Sequence, residues 1–364
     1  MRKLSLMVGV LLGCLIAAAA NSRAARVAVE PVVFAHPDEM VKGQGFVVLA
    51  DRRVFAVMAF LNAVSYDDEV KGQQMHPVRV TVRKMVAQNL AEHADRLRRW
   101  RERYRKLRIP SFVYQDFALS LSADYPFRRI RPDTELTYAR TAKLLDDLPE
   151  TLNDFWAAAK LDRVWAEVKG DYVAEISKYD IEKMRQELAS VWQYLRMPRR
   201  DTFVLVNVPD LLCEHYEGLG AKYENYYYSI ESPGANSHSL NIHEYLHSIV
   251  NPLVKADYIP YKHKLQAYYK AGKGKPLAAT YRQFVVFTYE CLVRALDHRL
   301  RLWVRSTHDP ADRKRIEGQL AGPTSRGLTL AMPFYRLLTK YEQSGKSFDA
   351  FLPDMLEALP EYKD

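Results

Sequence analysis

The chain has 364 residues, a formal charge of +9 at pH 7 and three cysteines. That length is ample for a large hydrophobic core, built as two lobes, and three cysteines are too few for a disulfide framework. The basic excess favours acidic surfaces such as phospholipid headgroups or anionic cell-wall polymers, and nucleic acid is not expected as a partner. The sequence contains no Gly-rich phosphate loop, so nucleotide chemistry has no support.

Residues 1–20 have the pattern of a secretory signal peptide, with two basic residues, an apolar run and then small residues. Cleavage is expected after Ala20, or after Ala25 as the alternative. The string 11–14 resembles a lipoprotein box that would acylate Cys14, but the apolar run continues beyond it, which favours a cleaved peptide. The mature protein is therefore predicted to be exported, to the periplasm or the extracellular space.

The N-terminal part of the mature chain is predicted to form three short strands, at 27–29, 32–34 and 46–49. Helices are predicted at 53–65 and 76–108, and the second ends in a basic run, 96–108. Apolar residues recur through this run at near-helical spacing, so the basic residues cover one face of an amphipathic helix. This face is either the solvated side of a packed helix, which the pattern favours, or a dock for an anionic membrane or polymer.

Further helices are predicted from about 135 to 197, with breaks near Pro149 and Gly170. The composition changes after residue 197. This change predicts a boundary between a mainly helical N-terminal region, 21–197, and a C-terminal domain, 198–364.

The C-terminal domain is predicted to begin with two strands, at 202–208 and 223–231, joined through a turn around 218–220. The second strand carries three successive tyrosines. Its edge is a place where an extended peptide could add to the sheet, and aromatic packing inside the sheet is an equal alternative. Later helices are predicted at 310–319, 328–341 and 348–359.

The string His243-Glu244-Tyr245-Leu246-His247 contains two histidines four residues apart with a glutamate directly after the first. On an α-helix these histidines lie on one face, so both imidazoles can point at a single metal ion. Glu244 lies about 100° around the helix, where its carboxylate can reach a metal-bound water without being a ligand. About 0.02 such patterns are expected by chance in a chain with 10 histidines, and the pattern is a metalloprotease signature.

The neighbouring residues predict the limits of this helix. Ser237 or Ser239 is expected to cap its N-terminus, and Asn251-Pro252 is expected to end it about one turn after His247. An apolar stripe beside the histidines is expected to be buried, and it consists of Ile242, Leu246 and Ile249.

A catalytic zinc site needs three protein ligands and an open position for water, and Glu290 is the best candidate for the third ligand. It belongs to an apolar helical run predicted from about 281 to 304, in which an acid must be paired or bound to a metal. One polar stripe interrupts the run: Glu290, Arg294, Asp297 and Arg301. The alternative is that these are two ordinary ion pairs between residues four apart. The remaining ligand candidates are then Asp297, His298 and Asp257.

Two cysteines, Cys213 and Cys291, are left in the mature chain. They could pair in an oxidising compartment. A buried thiol is an equal alternative for Cys291, because it adjoins Glu290 inside an apolar helix.

The motif with a glutamate on a later helix resembles the gluzincin group of zinc peptidases. The longer string from His243 to Pro252, followed by Glu290-Cys291-Leu292-Val293-Arg294-Ala295, resembles an uncharacterised family of secreted bacterial proteins interpreted as metallopeptidases. The resemblance covers the second half of the chain well and the first half only loosely. It differs from many gluzincins at Arg294, where they carry a carboxylate. Asn251 is therefore a candidate for part of the shell around the ligands.

The sequence and the resemblance together predict an α+β protein, mainly α with a small β-sheet, whose zincin-like lobe holds an active-site helix and a ligand helix. We expect His243, His247 and Glu290 to hold Zn²⁺, and Glu244 to act as the general base that hydrolyses peptide or protein substrates. A further group should stabilise the oxyanion, and the sequence leaves four candidates open: Tyr281, Tyr289, Arg294 and His298. The alternatives are a non-catalytic zinc-binding envelope protein and a docking module that uses the basic helix.

Overall fold

The structure is a computed structural model. It describes residues 40–362 apart from 44–45, 65–74, 199–203, 214–218, 224–225, 234–237, 282 and 305–309. The predicted signal peptide, Cys14, both cleavage points, and the predicted strands at 27–29 and 32–34 lie outside the described residues. Those that are described belong to one compact unit, His36–Asp364.

A single five-stranded sheet runs through this unit, in the order β1-β2-β3-β5-β4. Its strands are β1 (Met40–Gly43), β2 (Phe46–Leu49), β3 (Val204–Pro209), β4 (Leu219–Tyr223) and β5 (Tyr226–Glu231). The pairs β1–β2 and β4–β5 are antiparallel, and the pairs β2–β3 and β3–β5 are parallel. The sheet thus joins strands from both sides of residue 198. The boundary at that residue stays a prediction.

Fourteen α-helices complete the described part of the chain. Eight precede β3: α1 (Arg52–Ala63), α2 (Pro77–Asn89), α3 (Ala94–Leu107), α4 (Ser111–Ala118), α5 (Ala139–Ala142), α6 (Leu148–Ala158), α7 (Leu161–Ile176) and α8 (Ile181–Leu195). Six follow β5: α9 (His238–Asp257), α10 (Lys262–Gly272), α11 (Phe284–Val304), α12 (Pro310–Ser325), α13 (Ala331–Ser344) and α14 (Phe348–Glu357). The predicted mainly α fold with a small sheet is confirmed. Among the described residues, no helix is both long enough and apolar enough to cross a bilayer.

The predicted long helix at 76–108 is wrong in one respect, because it is two helices, α2 and α3, with a short 3-10 turn between them. The break follows Asn89, whose side-chain amide donates a hydrogen bond to the Ala159 carbonyl oxygen at 2.7 Å. Leu90 is buried at this point. A tertiary contact therefore ends a helix that the local pattern would have continued.

The predicted break near Gly170 is also wrong, since α7 passes through Gly170 without interruption. This glycine has open space around it, and its neighbours Val168 and Tyr172 are buried. The cost of one helical glycine, about 1 kcal/mol, is outweighed by the burial of the apolar face. The actual break comes earlier, at Lys160, which adopts a left-handed backbone conformation (φ 51°).

Helix α9, which carries the two histidines, is longer than predicted. Pro252 lies inside it, and the helix ends only at Asp257. Val250 and Val254, on either side of the proline, are fully buried, so packing keeps the helix going where the local rule predicts an end. Ser239 lies within the helix and so cannot be its cap, while Ser237 is outside the described residues. The apolar stripe beside the histidines is buried as predicted.

The sheet corrects the expectation for the tyrosine-rich strand. β5 is paired on both sides, with β3 and with β4, so it offers no free edge to a peptide. Its tyrosines instead pack inside the protein, with Tyr227 and Tyr228 buried. The strand next to it, β4, falls where a turn was predicted. Gly220, a turn residue by its local preference, lies inside this strand opposite Ser229.

The last residue of β5, Glu231, has a buried carboxyl group. Glu231 accepts hydrogen bonds from the Tyr179 hydroxyl at 2.8 Å, the Asn207 amide at 2.8 Å and the Ser229 hydroxyl at 3.0 Å. Burial raises the pKa of Glu231 to about 8, although the hydrogen bonds from Tyr179 and Ser229 act to lower it. The folded protein therefore keeps this proton at pH values where the unfolded chain has lost it.

We predict that Glu231→Gln removes a pH-dependent loss of stability. The pKa of Glu231 is higher in the folded protein than in the unfolded chain. Its contribution to the free energy of unfolding is therefore complete below about pH 4.5 and is lost as the pH rises to about 8, by up to about 1.4 kcal/mol per pH unit. Urea unfolding across this range should show wild type losing stability relative to Glu231→Gln. Glu167→Gln, an exposed glutamate on α7, is the control and should follow wild type. Parallel curves for wild type and Glu231→Gln would contradict the assignment.

Candidate metal centre

The two motif histidines lie on one face of α9, half-buried and directed at each other. Their Nε2 atoms are 3.2 Å apart, and their rings are nearly perpendicular, at 80°. This is the geometry that the four-residue spacing on a helix predicts.

Glu290 on α11 faces this pair of ring nitrogens. Its Oε2 lies 3.4 Å from His247 Nε2, and its Oε1 lies 3.8 Å from His243 Nε2. The side chain is buried, and the neighbouring residues Phe287 and Val293 are fully buried as well. The structure thus brings together the three residues that the sequence singled out as ligands.

These three side chains fit a divalent metal. Their ligand atoms all lie within 4.8 Å of one another, and no other three acids, histidines or cysteines do so in the part of the chain that the structure describes. Two ligand atoms bound to one tetrahedral zinc at about 2.0–2.1 Å would be about 3.3 Å apart. Two of the observed separations, 3.2 and 3.4 Å, are close to this value, and the third, 3.8 Å, is somewhat longer. Two imidazole nitrogens and a carboxylate oxygen are also donors that zinc accepts.

The carboxylate of Glu290 is ionised despite its burial. Burial acts to raise its pKa, but His243, His247 and Arg294 outweigh this effect and hold the pKa well below its usual value. The Arg294 Nε atom donates to Glu290 Oε1 at 2.5 Å. Glu290 can therefore be both a metal ligand and the partner of Arg294 in an ion pair, because its carboxylate contacts Arg294 and also faces the two histidines.

Asn251 contacts the ring nitrogen of His247 that faces away from Glu290. Its Oδ1 lies 3.1 Å from His247 Nδ1. An amide oxygen accepts hydrogen bonds, so this contact favours a proton on Nδ1, the tautomer in which Nε2 is the nitrogen that can bind a metal. Asn251 lies one turn after His247, as expected for a residue that orients a ligand.

The general-base candidate, Glu244, points at the sheet. The Tyr227 hydroxyl on β5 donates a hydrogen bond to Glu244 Oε2 at 3.3 Å. Burial and then the charge of Glu244 raise the pKa of Tyr227 well above its usual value, so the hydroxyl remains a donor. Gly220 on β4 leaves the room for this contact: a Cβ atom there would lie 2.2 Å from the Tyr227 hydroxyl and 2.6 Å from Glu244 Oε2.

Tyr138, from the N-terminal half of the chain, lies within range of the charge of Glu244. Burial, followed by the charges of Asp116 and Glu244, raises the pKa of Tyr138 to about 12. The Tyr138 backbone N–H donates to Asp116 Oδ2 at 3.0 Å, and Asp116 in turn accepts a hydrogen bond from Tyr223 on β4 at 2.6 Å. Sequence reasoning missed Tyr138 and Tyr227, since no local spacing connects either of them to the motif.

Of the other residues that the sequence offered as ligands or as donors to the oxyanion, some lie at the site and some do not. Arg294 contacts Glu290, and Tyr281 lies close to both, with its pKa raised by burial and by the charge of Glu290. Asp297 pairs with Arg301 at 2.6 Å, and His298 Nδ1 lies 2.8 Å from the Arg294 carbonyl oxygen. Those two are therefore engaged elsewhere on α11.

The remaining candidate ligand, Asp257, is the last residue of α9, ten positions beyond His247. Cys213 and Cys291 are both buried and free in the structure, which agrees with the second of the two alternatives, a buried thiol. Burial raises the pKa of the Cys291 thiol well above its usual value.

Comparisons with models of protein families, with curated proteins and with solved structures found no match for this chain. The resemblance to gluzincins therefore stays a prediction from the motif.

We predict that the folded protein binds one divalent ion per chain and that Glu290→Gln weakens this binding. The loss should exceed the roughly 10–100-fold that removing an outer hydrogen-bond partner causes. Asp297→Asn is a matched control, since Asp297 is equally buried and pairs with an arginine four residues on in the same helix. Titration of the metal-free protein against a chromophoric chelator measures both affinities. Equal losses in the two variants would contradict a ligand role for Glu290.

Proposed function

We propose that this chain is an exported zinc-dependent metallopeptidase. The observation that carries the proposal is the convergence of His243, His247 and Glu290, with Glu244 beside them and outside the ligand set. A zinc ion held by these residues would lower the pKa of a bound water toward about 7 and polarise the scissile carbonyl.

Glu244 is the residue that we assign to proton transfer. It follows His243 directly, and its carboxylate is held by the Tyr227 hydroxyl, which leaves the second oxygen to take a proton from the attacking water. The same carboxyl group then passes the proton to the departing amine. Tyr227 orients this side chain, and Gly220 supplies the space that the orientation requires.

The Tyr138 hydroxyl is a candidate to stabilise the oxyanion. Its raised pKa, about 12, means that it keeps its proton through the neutral range, whereas the one proton of the Tyr227 hydroxyl is already donated to Glu244. A donor aimed at developing negative charge contributes roughly 2.7–4 kcal/mol to the transition state. Arg294 and Tyr281 instead hold Glu290 in place, which makes them less suited to this role than the sequence suggested.

A non-catalytic zinc-binding protein is the main alternative. Structural zinc sites are closed by four protein ligands, whereas the described residues here supply three. Glu244, whose carboxylate lies beside the three ligands, is also not needed to hold a structural zinc ion. These two features favour turnover over a purely structural site.

The basic helix α3 has weaker support as a docking module. Three of its arginines form ion pairs with acids, in the pairs Arg96–Asp154, Arg98–Asp95 and Arg103–Asp147. Trp100 and Tyr104 on its other face are buried. These contacts favour the interpretation as the solvated side of a packed helix.

We predict that Glu244→Gln keeps the metal and loses hydrolysis. A positioned general base contributes about 10²–10⁴-fold, so cleavage of a peptide library should fall by that factor while metal content stays at one ion per chain. Asp257→Asn, a change of the other acid on α9, is the matched control and should leave cleavage unchanged. If Glu244→Gln cleaves peptides as fast as wild type, Glu244 is not the base. If wild-type protein with full metal cleaves no peptide, the peptidase assignment fails.

A further inference from the structure

An apolar residue is held out in solvent at the end of the histidine helix. After α9 ends at Asp257, a short 3-10 turn, Ile259–Tyr261, leads into α10. We refer to Tyr258–Lys262 as the Ile259 loop. Ile259 has 61% of its surface exposed, more than any other large hydrophobic side chain in the described part of the chain. Pro260 beside it is exposed as well.

The Ile259 loop is an ordered structure that presents this side chain. The Tyr258 N–H donates to the Val254 carbonyl oxygen at 2.9 Å, and the Tyr261 N–H donates to the Tyr258 carbonyl oxygen at 3.0 Å. The Tyr258 ring packs against the Phe284 ring of α11, with centroids 5.7 Å apart. The exposure of Ile259 is therefore fixed by the fold of the turn.

The chain around Ile259 is rich in lysine. Residues 255–275 contain six lysines and a single acid, Asp257. Lys255 in the last turn of α9 and Lys262 at the start of α10 are both exposed and flank Ile259 in the sequence. Tyr258 and Tyr261, which are partly exposed, lie between these lysines and Ile259 in the sequence.

This order of residues matches a bilayer interface better than a charged polymer. At such an interface an aliphatic side chain enters the acyl region, tyrosines lie at the level of the headgroups, and lysines reach the phosphates. A polysaccharide or a nucleic acid would attract the lysines but would offer no apolar phase to Ile259. Anionic lipids add an attraction for each lysine near the surface.

We propose that the Ile259 loop docks the protein onto a membrane that contains anionic phospholipid, with Ile259 inserted and Lys255 and Lys262 at the headgroups. His247 lies ten residues before the end of α9, about 15 Å along the helix axis. Docking would therefore hold the metal centre close to the membrane surface. This inference is independent of the proposed peptidase activity.

The test measures binding of the exported protein, without its predicted signal peptide, to vesicles by co-sedimentation. The vesicles are phosphatidylcholine alone or phosphatidylcholine with phosphatidylglycerol. Wild type should bind the anionic vesicles preferentially. Ile259→Ser should weaken that binding by more than about 10-fold, because it removes the inserted side chain. Neutralising Lys255 and Lys262 to Gln should weaken it by about 5-fold per lysine.

Two matched controls separate this loop from the rest of the surface. Val80→Ser changes another exposed aliphatic residue, 51% exposed on α2, and should leave binding unchanged. Arg99→Gln removes an exposed charge from the basic helix α3 and should have little effect. Since Ile259 is exposed, Ile259→Ser should unfold at the same temperature as wild type, which shows that the loss is one of binding.

Three outcomes would overturn the proposal. Wild type could fail to prefer anionic vesicles. Ile259→Ser could bind as well as wild type while Arg99→Gln does not, which would move the dock to α3. A soluble anionic polymer could bind wild type and Ile259→Ser equally and displace both from vesicles, which would make the partner a polymer.

Discussion

The candidate site depends on a buried carboxylate that faces two imidazole nitrogens. Glu290 is ionised and buried beside apolar residues such as Phe287 and Val293, and this costs free energy unless positive charge lies close by. Arg294 supplies one part of that charge, and the face toward His243 and His247 is suited to a cation. Helices α9 and α11 pack side by side, and this packing brings the three groups together.

The sequence predicts the parts of this site that depend on helical spacing. His243 and His247 are four residues apart, and Glu290 is the acid that interrupts an apolar helix, so both signals are local. Tyr227, Gly220 and Tyr138 could not be found in this way. Gly220 looks like a turn residue and lies in a strand, and Tyr138 is more than a hundred residues from Glu244 along the chain. These residues are brought to the site by contacts between distant parts of the chain, and a short sequence pattern contains no information on such contacts.

The fold itself shows the same division. Long periodic helices such as α11 are predicted within a few residues. The prediction missed the break after Asn89, placed a break near Gly170 that does not exist, and ended α9 too early. In each of these cases a buried contact overrides a local preference. The sheet also combines β1 and β2 with the three later strands, so the N-terminal half helps to build the wall that holds Glu244. The Ile259 loop could not be predicted as a surface feature from the sequence, because only the structure shows that Ile259 is exposed to solvent.

The most direct test of this account is anomalous diffraction at the zinc edge from crystals of the zinc-loaded protein. We expect one peak within about 2.0–2.2 Å of His243 Nε2, His247 Nε2 and a Glu290 carboxylate oxygen, with water in the remaining position. A peak elsewhere, or a zinc closed by a fourth protein ligand, would contradict the claim that these residues form an open metal centre.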